Sequence, residues 1–375
     1  MAADSRAGAG DRGTDESSRV ARGPCDAPSI DLVVPGDPAT LTGGYLYDKR
    51  IFAALAALGW CTKVHALDAS FPRPRGAALA EAADMLAAIP SGRIVVVDGL
   101  ALGGLAGPLA AAARRLRLIA LIHHPLALET GLETAVAAAL QTAENASLEL
   151  VRGIIVTSSW TARQLAGAGL SARRIRVVEP GTDPAPDREP LPGPERRLLS
   201  VGSLTPRKGH ALLVSALAPL RDRPWRLDCV GSLTRDPDTA AAAQALIRRL
   251  GLDARIVLHG ELDAAALADR YRQADLFVLP SYLEGYGMAL ADALAYGLPI
   301  VSTTAGAIPE TPPADAAILV APGDQAALTA ALARVLDEPD LRARLESAAL
   351  VARSRLPSWT AAGRRFAAAA MELGA

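Results

Sequence analysis

The chain is short of aromatic residues, which make up 4% of its 375 positions, and of net charge: 39 lysines and arginines face 40 aspartates and glutamates, a formal balance of −1. Without a charge excess there is no broad positive field of the kind that duplex nucleic acid or an anionic membrane requires. Cysteine is scarce as well. Cys25, Cys61 and Cys229 are scattered and odd in number, which argues against a disulfide framework and gives no metal-ligand spacing. Cys61 and Cys229 border apolar runs and read as small buried hydrophobes. No uninterrupted apolar stretch is long enough to span a bilayer. The stretch from Met1 to about Asp26, rich in Gly, Ala, Arg, Asp and Ser, lacks the apolar core of a signal peptide and is expected to be disordered. The expected location is cytoplasmic, which leaves room for a peripheral role at a membrane.

What is present is a globular composition, 50% hydrophobic, with Ala, Leu and Val supplying the bulk. The length predicts two domains. Apolar runs at Ile30–Val34, Val64–Leu67, Ile94–Val97, Leu116–Ile122, Ile154–Thr157 and Ile175–Val178 alternate with amphipathic segments. Tyr47, Ile51, Ala54, Leu55 and Leu58 recur at three- and four-residue steps, marking a helix with one buried face. Pro180–Pro194 is dense in Pro and Gly and reads as a linker. The rhythm then restarts, with strands expected at Leu198–Val201, Leu227–Val230, Ile256–Leu258, Leu276–Leu279, Ile300–Val301 and Ile318–Val320, and helices from Gln325 onward. Near-continuous Val/Ile/Leu strands between helices predict an α/β protein with parallel sheets covered on both faces. Two such doubly wound units bind ligands beyond the carboxyl ends of their strands, so a cleft between them is the expected site.

Four segments carry candidate chemistry. The run Ser281-Tyr-Leu-Glu284-Gly285-Tyr286-Gly287, followed by Asp292, reads as a loop and a helix. Glu284 and Asp292 are eight positions apart, which on a helix is about 12 Å of rise and roughly 80° of rotation. That spacing lets two acceptor-only carboxylates face a ligand the length of a sugar joined to a nucleoside. The glycines let backbone N–H groups approach it closely at a helix N-terminus. In Val201-Gly-Ser203-Leu-Thr-Pro-Arg207-Lys208-Gly209, two adjacent cations follow a strand and suit a diphosphate, or form an ordinary solvated loop. His123 and His124 end the fourth strand, where imidazole either faces a cleft or bonds a backbone carbonyl. Gly43-Gly44 follows the first strand and opens a helix, a place for phosphate, yet it lacks the G-x-G-x-x-G spacing of a dinucleotide site.

Asp236-Pro237-Asp238 is ordinary helix-start chemistry, so no metal is assigned. His65, His210 and His259 have no convergent partners in sequence, and Ser158-Ser159 lacks a G-x-S-x-G setting.

Together these segments resemble the family 4 retaining glycosyltransferases of GT-B fold, from about Ile30 to about Phe366. Ala274–Ser281, Glu284-Gly-Tyr-Gly287 and Gly297-Leu-Pro-Ile-Val301 look like the family's E-x7-E signature with its flanks, and Val201–Gly209 looks like its diphosphate loop. Leu121-Ile-His-His-Pro125 is similar to its N-domain His strand, Gly43-Gly44 to its glycine loop, and Pro357-Ser-Trp359 to the start of its last helix. The resemblance implies two Rossmann-like domains: a tail at 1–27, an acceptor domain at 28–185, a donor domain at 186–355 and a helix at 356–375 crossing back.

It implies that Lys208 holds the donor diphosphate and that Glu284 contacts the sugar hydroxyls, with the amides around Tyr286 and Gly287 close by. It places Asp292 on the ribose and His123 beside the reacting centre. Acceptor pockets are expected on first-domain loops such as 129–144. The implied activity is a retaining transfer of sugar from a nucleotide diphosphate to an acceptor hydroxyl, with no metal or other cofactor and no nucleic-acid partner. The rivals are a GT-B epimerase or phosphorylase and a non-catalytic nucleotide-sugar binder. Two positions depart from the pattern: Asp292 stands where Glu is usual, and Ser203 where Arg is usual, with Arg207 the available substitute.

Overall fold

A run such as Ile94-Val-Val-Val-Asp98 is apolar at four successive positions, so it is satisfied only in a strand covered on both faces. All five residues are buried. The computed structural model, which describes residues 27–375, turns twelve such runs into two six-stranded parallel sheets. The first holds β1 (Ser29–Pro35), β2 (Cys61–Leu67), β3 (Ile94–Asp98), β4 (Arg117–Ile122), β5 (Gly153–Val156) and β6 (Ile175–Val177), in the order β2-β1-β3-β4-β5-β6. The second holds β7 (Arg196–Val201), β8 (Trp225–Val230), β9 (Ile256–Leu258), β10 (Leu276–Leu279), β11 (Ile300–Thr303) and β12 (Ala317–Val320), in the order β12-β11-β10-β7-β8-β9. In-register pairs such as Leu32 with Val96 and Val96 with Ile119 fix the alignment at the centre of the first sheet.

Each sheet reverses direction once. The chain steps outward from β1 to β2 and returns on the far side of β1 at β3; it does the same from β7 through β9 back to β10. Loops leaving adjacent strands at such a reversal run to opposite faces and open a crevice. The residues with candidate chemistry therefore gather at the carboxyl ends of β1, β3 and β4 in one sheet and of β7 and β10 in the other.

Residues 178–195 form neither helix nor strand. They are tied down by Thr182 N donating to Pro357 O at 2.7 Å and by an Arg50–Asp183 ion pair. The last helix, Trp359–Gly374, starts at Ser358, whose side chain accepts from Ala361 N. It packs on the first sheet: Phe366, fully buried, meets Phe52 edge-on at 6.4 Å, and a Cβ at Gly363 would collide with Ala54. Cys229 is buried and free. Cys61 departs from expectation: it opens an edge strand, is half-buried and is disulfide-bonded. Cys25 and the rest of Met1–Asp26 lie outside the described residues. No helix among the described residues is long and apolar enough to cross a membrane.

Phe366→Ala removes the ring that joins the last helix to the first sheet and should destabilise by about 3–5 kcal/mol. Thermal melting with limited proteolysis reads this out as a lower midpoint and early cleavage near the C-terminus; unchanged melting would show that the helix is not anchored there.

Candidate active site

The turn after β7 is built to approach β10. Pro206–Lys208 forms one 3-10 turn and ends on Gly209, whose φ of 70° favours glycine. A Cβ there would also collide with the Pro280 carbonyl, so only glycine lets the turn lie against the loop after β10. Lys208 Nζ then donates to Glu284 Oε1 at 2.6 Å, and Arg207 Nη1 donates to Leu283 O at 2.8 Å and to Glu284 Oε2 at 3.4 Å. Ser281 Oγ adds a third donor to Glu284, at 2.6 Å. Glu284 is 6% exposed. Burial alone would raise its pKa; the Lys208 and Arg207 charges and the bonds from Lys208 and Ser281 outweigh it and hold the carboxyl at about 2. Burial chiefly lowers the Lys208 pKa, against the pull of Glu284. An ammonium has three donors, so the bond to Glu284 leaves two for a ligand.

As the sequence suggests, one acid sits in the loop and the other on the helix that follows. Glu284 lies in the loop, and the helix Met288–Ala295 begins only after Gly287, which is left-handed at φ 92°. The helical spacing between Glu284 and Asp292 therefore does not apply, because the chain turns at Gly287. Asp292 is half-buried, and burial pushes its pKa to about 7 against the lowering effect of Arg50. Arg50 belongs to the helix Gly43–Ala57 of the first domain and sits over the Trp359 ring at 5.4 Å, so Asp292 looks toward that domain. Tyr271 and Tyr296, stacked at 5.2 Å, and Tyr286 all feel its charge. Tyr286 is half-buried, and its carbonyl accepts from Thr311 Oγ1 at 2.6 Å.

The opposite wall comes from the first domain. Gly43 and Gly44 are the first two residues of their helix, capped by the Thr42 side chain. Gly44 packs against His123, where a Cβ would stand 3.1 Å from Cδ2; Gly43 has open space. His123 Nε2 lies 3.2 Å from Asp48 Oδ1 and 3.4 Å from Asp98 Oδ2. Only the first of these meets hydrogen-bond geometry, since Asp98 Oδ2 has no hydrogen-bond partner. His124 pairs with Glu129 at 3.4 Å, and Glu129 reaches across to Arg207 Nε at 3.2 Å. Burial opposes, but His124, Arg207 and Thr130 hold Glu129 at about 2. Two more contacts close the cleft: Trp160 N donates to Glu310 at 3.0 Å with Arg163 paired to the same acid, and a Cβ at Gly285 would strike the His123 carbonyl.

The structure thus brings Lys208, Arg207 and Glu284 into direct contact, sets His123 behind Gly285, and places Asp292 on the next helix facing Arg50. The other histidines are structural or remote: His65 pairs with Asp31 at 2.8 Å and His259 with Asp228 at 2.6 Å. His210 is buried beside Lys208, with a pKa that burial lowers to about 4. Ser158 and Asp236 cap helices, donated to by Thr161 N and Thr239 N. Sequence reasoning missed Asp48, Asp98, Glu129 as a bridge, and Ser281. Asp48 had a signal: a charge directly beside Tyr47, on the buried face of an amphipathic helix. Asp98 ends an otherwise apolar strand.

Gly285→Ala should keep the fold and hold the domains apart at His123. A misplacement near 1 Å costs about 100-fold in rate. Steady-state kinetics on a variant with native melting should show a loss of that order, and a wild-type rate would mean that this contact does not form in the working state.

The comparisons with known proteins agree with this geometry. Residues 30–186 match the model of Glycosyltransferase Family 4, and residues 195–338 match that of Glycosyl transferases group 1. The chain is 31% identical over 288 residues to an MMP alpha-(1->4)-mannosyltransferase of Mycolicibacterium hassiacum, covering 72% of this chain and 68% of that protein. It is 32% identical to a D-inositol 3-phosphate glycosyltransferase of Xylanimonas cellulosilytica, spanning 49% of that relative's length. Among solved structures it is similar to sucrose-phosphate synthase of Thermosynechococcus elongatus, with a TM-score of 0.78, 22% identity and 92% of this chain and 99% of that one covered. HepE of Anabaena, solved with UDP-glucose, matches with a TM-score of 0.71, 17% identity and 91% and 99% covered. Two parallel sheets facing across a cleft, with both halves matching family models, show that this chain belongs to the family 4 glycosyltransferases of GT-B fold.

Proposed function

We propose that the chain moves a sugar from a nucleotide diphosphate donor to an acceptor hydroxyl with retention of anomeric configuration, without a metal ion or other cofactor. The observation that carries this reading is the contact of Lys208 and Arg207 with buried Glu284 against the His123 loop of the opposite domain. Breaking the anomeric bond leaves negative charge on the departing phosphate, and preorganised cations stabilise charge that develops there. Lys208 and Arg207 are the cations at that place, with Glu284 fixing both and offering its free lone pairs to the sugar hydroxyls. Asp292 accepts from the ribose, and the amides of Tyr286 and Gly287 and the Gly43-Gly44 turn flank the donor.

Glu284 is held by Lys208 and Ser281, so it does not serve as a nucleophile. The acceptor oxygen attacks the anomeric carbon from the face the phosphate leaves. The old carbon–oxygen bond breaks with its electron pair on the diphosphate oxygen, and the acceptor proton passes to that oxygen. A donor of this class accords with the UDP-glucose complex of HepE, and sugar transfer accords with the mannosyltransferase relative; the first-domain loops are left to the acceptor.

Incubation with UDP-, GDP- and ADP-sugars and an acceptor panel, with NMR of the product anomer, tests this directly. Retention is expected; an inverted product would contradict it. Lys208→Ala should lower kcat by about 100- to 1,000-fold, and a fully active variant would remove the diphosphate assignment. The pH dependence has a definite sign. Asp292 is an acid whose folded pKa, about 7, lies above its ordinary value. Its ionisation therefore costs stability increasingly as pH rises from about 4 through 7. Asp292→Asn should melt higher than wild type at pH 8, with the gain fading toward pH 4, while binding donor more weakly. An equal gain at both pH values would show that burial is not the cause.

A further inference from the structure

Asp48 and Asp98 reach one edge of His123 from two different elements. Asp48 comes from the buried face of the helix Gly43–Ala57, and Asp98 from the end of β3, where its Oδ1 also accepts from Leu100 N at 2.8 Å. They are 3% and 1% exposed. Two carboxylates crowded into one dry place repel each other, and a neutral imidazole does little to offset that; a positive ring offsets it directly. Each acid also keeps one oxygen, Asp48 Oδ2 and Asp98 Oδ2, buried without a hydrogen-bond partner. Buried acceptors left unsatisfied are rare, and here both lie beside the same ring.

Among the described residues, the other neighbours of the ring are uncharged. Tyr47 meets it edge-on at 5.4 Å with its own hydroxyl spent on Val178 O, and Gly44 closes on the Cδ2 side. Thr157 and Thr161 donate to the His123 carbonyl, and Gly285 packs on the same oxygen. Nε2 faces the acids, and Nδ1 bonds no described residue. An imidazolium donates from both nitrogens, so Nδ1 then presents an N–H, whichever way the ring is turned.

We propose that Asp48 and Asp98 are positioning residues that keep His123 an imidazolium, so that it serves the transfer as a hydrogen-bond donor to a substrate oxygen and never as the base that takes the acceptor proton. This rests on the reading of the cleft as a sugar-transfer site, and by removing His123 as the base it is consistent with the acceptor proton passing to the leaving phosphate. Burial alone would lower the His123 pKa; the Asp48 charge and hydrogen bond, with Asp98 close beside them, outweigh it and raise it to about 10, while burial holds Asp48 at about 6. Both partners are therefore charged between those values. Because the His123 pKa is raised on folding, its own contribution to stability is fully present below pH 6.5 and is lost as pH rises through 10, while the pair is charged on both sides only above about 6.

The test is an NMR titration of His123 in the donor-free full-length protein, which needs no turnover. Wild type should titrate above pH 9, and Asp48→Asn or Asp98→Asn should each move the midpoint down by at least one unit. In kinetics, each Asn variant should acquire a fall in kcat/KM on the alkaline side of neutrality as His123 loses its proton. His123→Gln, which still donates, should retain at least tenfold more kcat than His123→Ala and show no such fall. If one Asn variant fails to fold, the wild-type titration and the Gln/Ala pair still decide the matter. A wild-type midpoint at or below 6.5 would overturn the proposal. So would an acid-side loss of activity that disappears in His123→Gln, or one divalent ion per chain held by the three side chains in place of the proton. Loss of activity in Lys208→Ala beside a normal His123 titration separates the donor-site reading from this one.

Discussion

The site rests on one buried carboxylate. Glu284, 6% exposed, accepts from Lys208 and Ser281 and pairs with Arg207. A lone carboxylate in that place would be driven toward protonation by desolvation. The two cations reverse this, and in return their long side chains are fixed in one geometry before any ligand arrives. Removing one member of such a set leaves the others buried and unpaired, which costs more than the pair itself contributes. Charge placement at the cleft is thus a folding constraint as well as a chemical one.

Topology makes the arrangement possible. Both sheets reverse direction beside their first strand; the loops that part there carry the cationic turn, the acid loop and the glycine pair, and the His strand lies one strand further along. Small residues set the close approaches. Gly209 lets the cationic turn lie on Pro280, and Gly285 lets the acid loop touch the His123 carbonyl. Arg207, bonded to Glu284 on its own side and to Glu129 on the other, is one charged link between the domains, and Arg163–Glu310 is another. The last helix closes the molecule from behind by packing Phe366 into the first domain's core.

The sequence made the fold legible because parallel strands buried on both faces must be apolar throughout, and each of the twelve runs became a strand. The cationic turn and the acid loop were legible because they sit at fixed offsets from those strands. Contacts between distant segments were not. Nothing local links Asp48, Asp98 and His123, whose meeting depends on strand order; Asp48 showed itself only as a charge on an otherwise apolar helix face. The helical spacing of Glu284 and Asp292 failed for a definite reason: Gly287 is left-handed, so the helix begins after the first acid. Cys61, half-buried and disulfide-bonded, shows that an apolar neighbourhood does not by itself determine a cysteine's state.

If Lys208 and Arg207 are set to receive a pyrophosphate, affinity must reside in the phosphates. Calorimetric titration of a nucleoside diphosphate against the matching nucleoside measures this directly. A charge-assisted hydrogen bond contributes about 1.5–3 kcal/mol, so the account predicts that the diphosphate binds at least about tenfold more tightly. Equal affinities for the two ligands would contradict it.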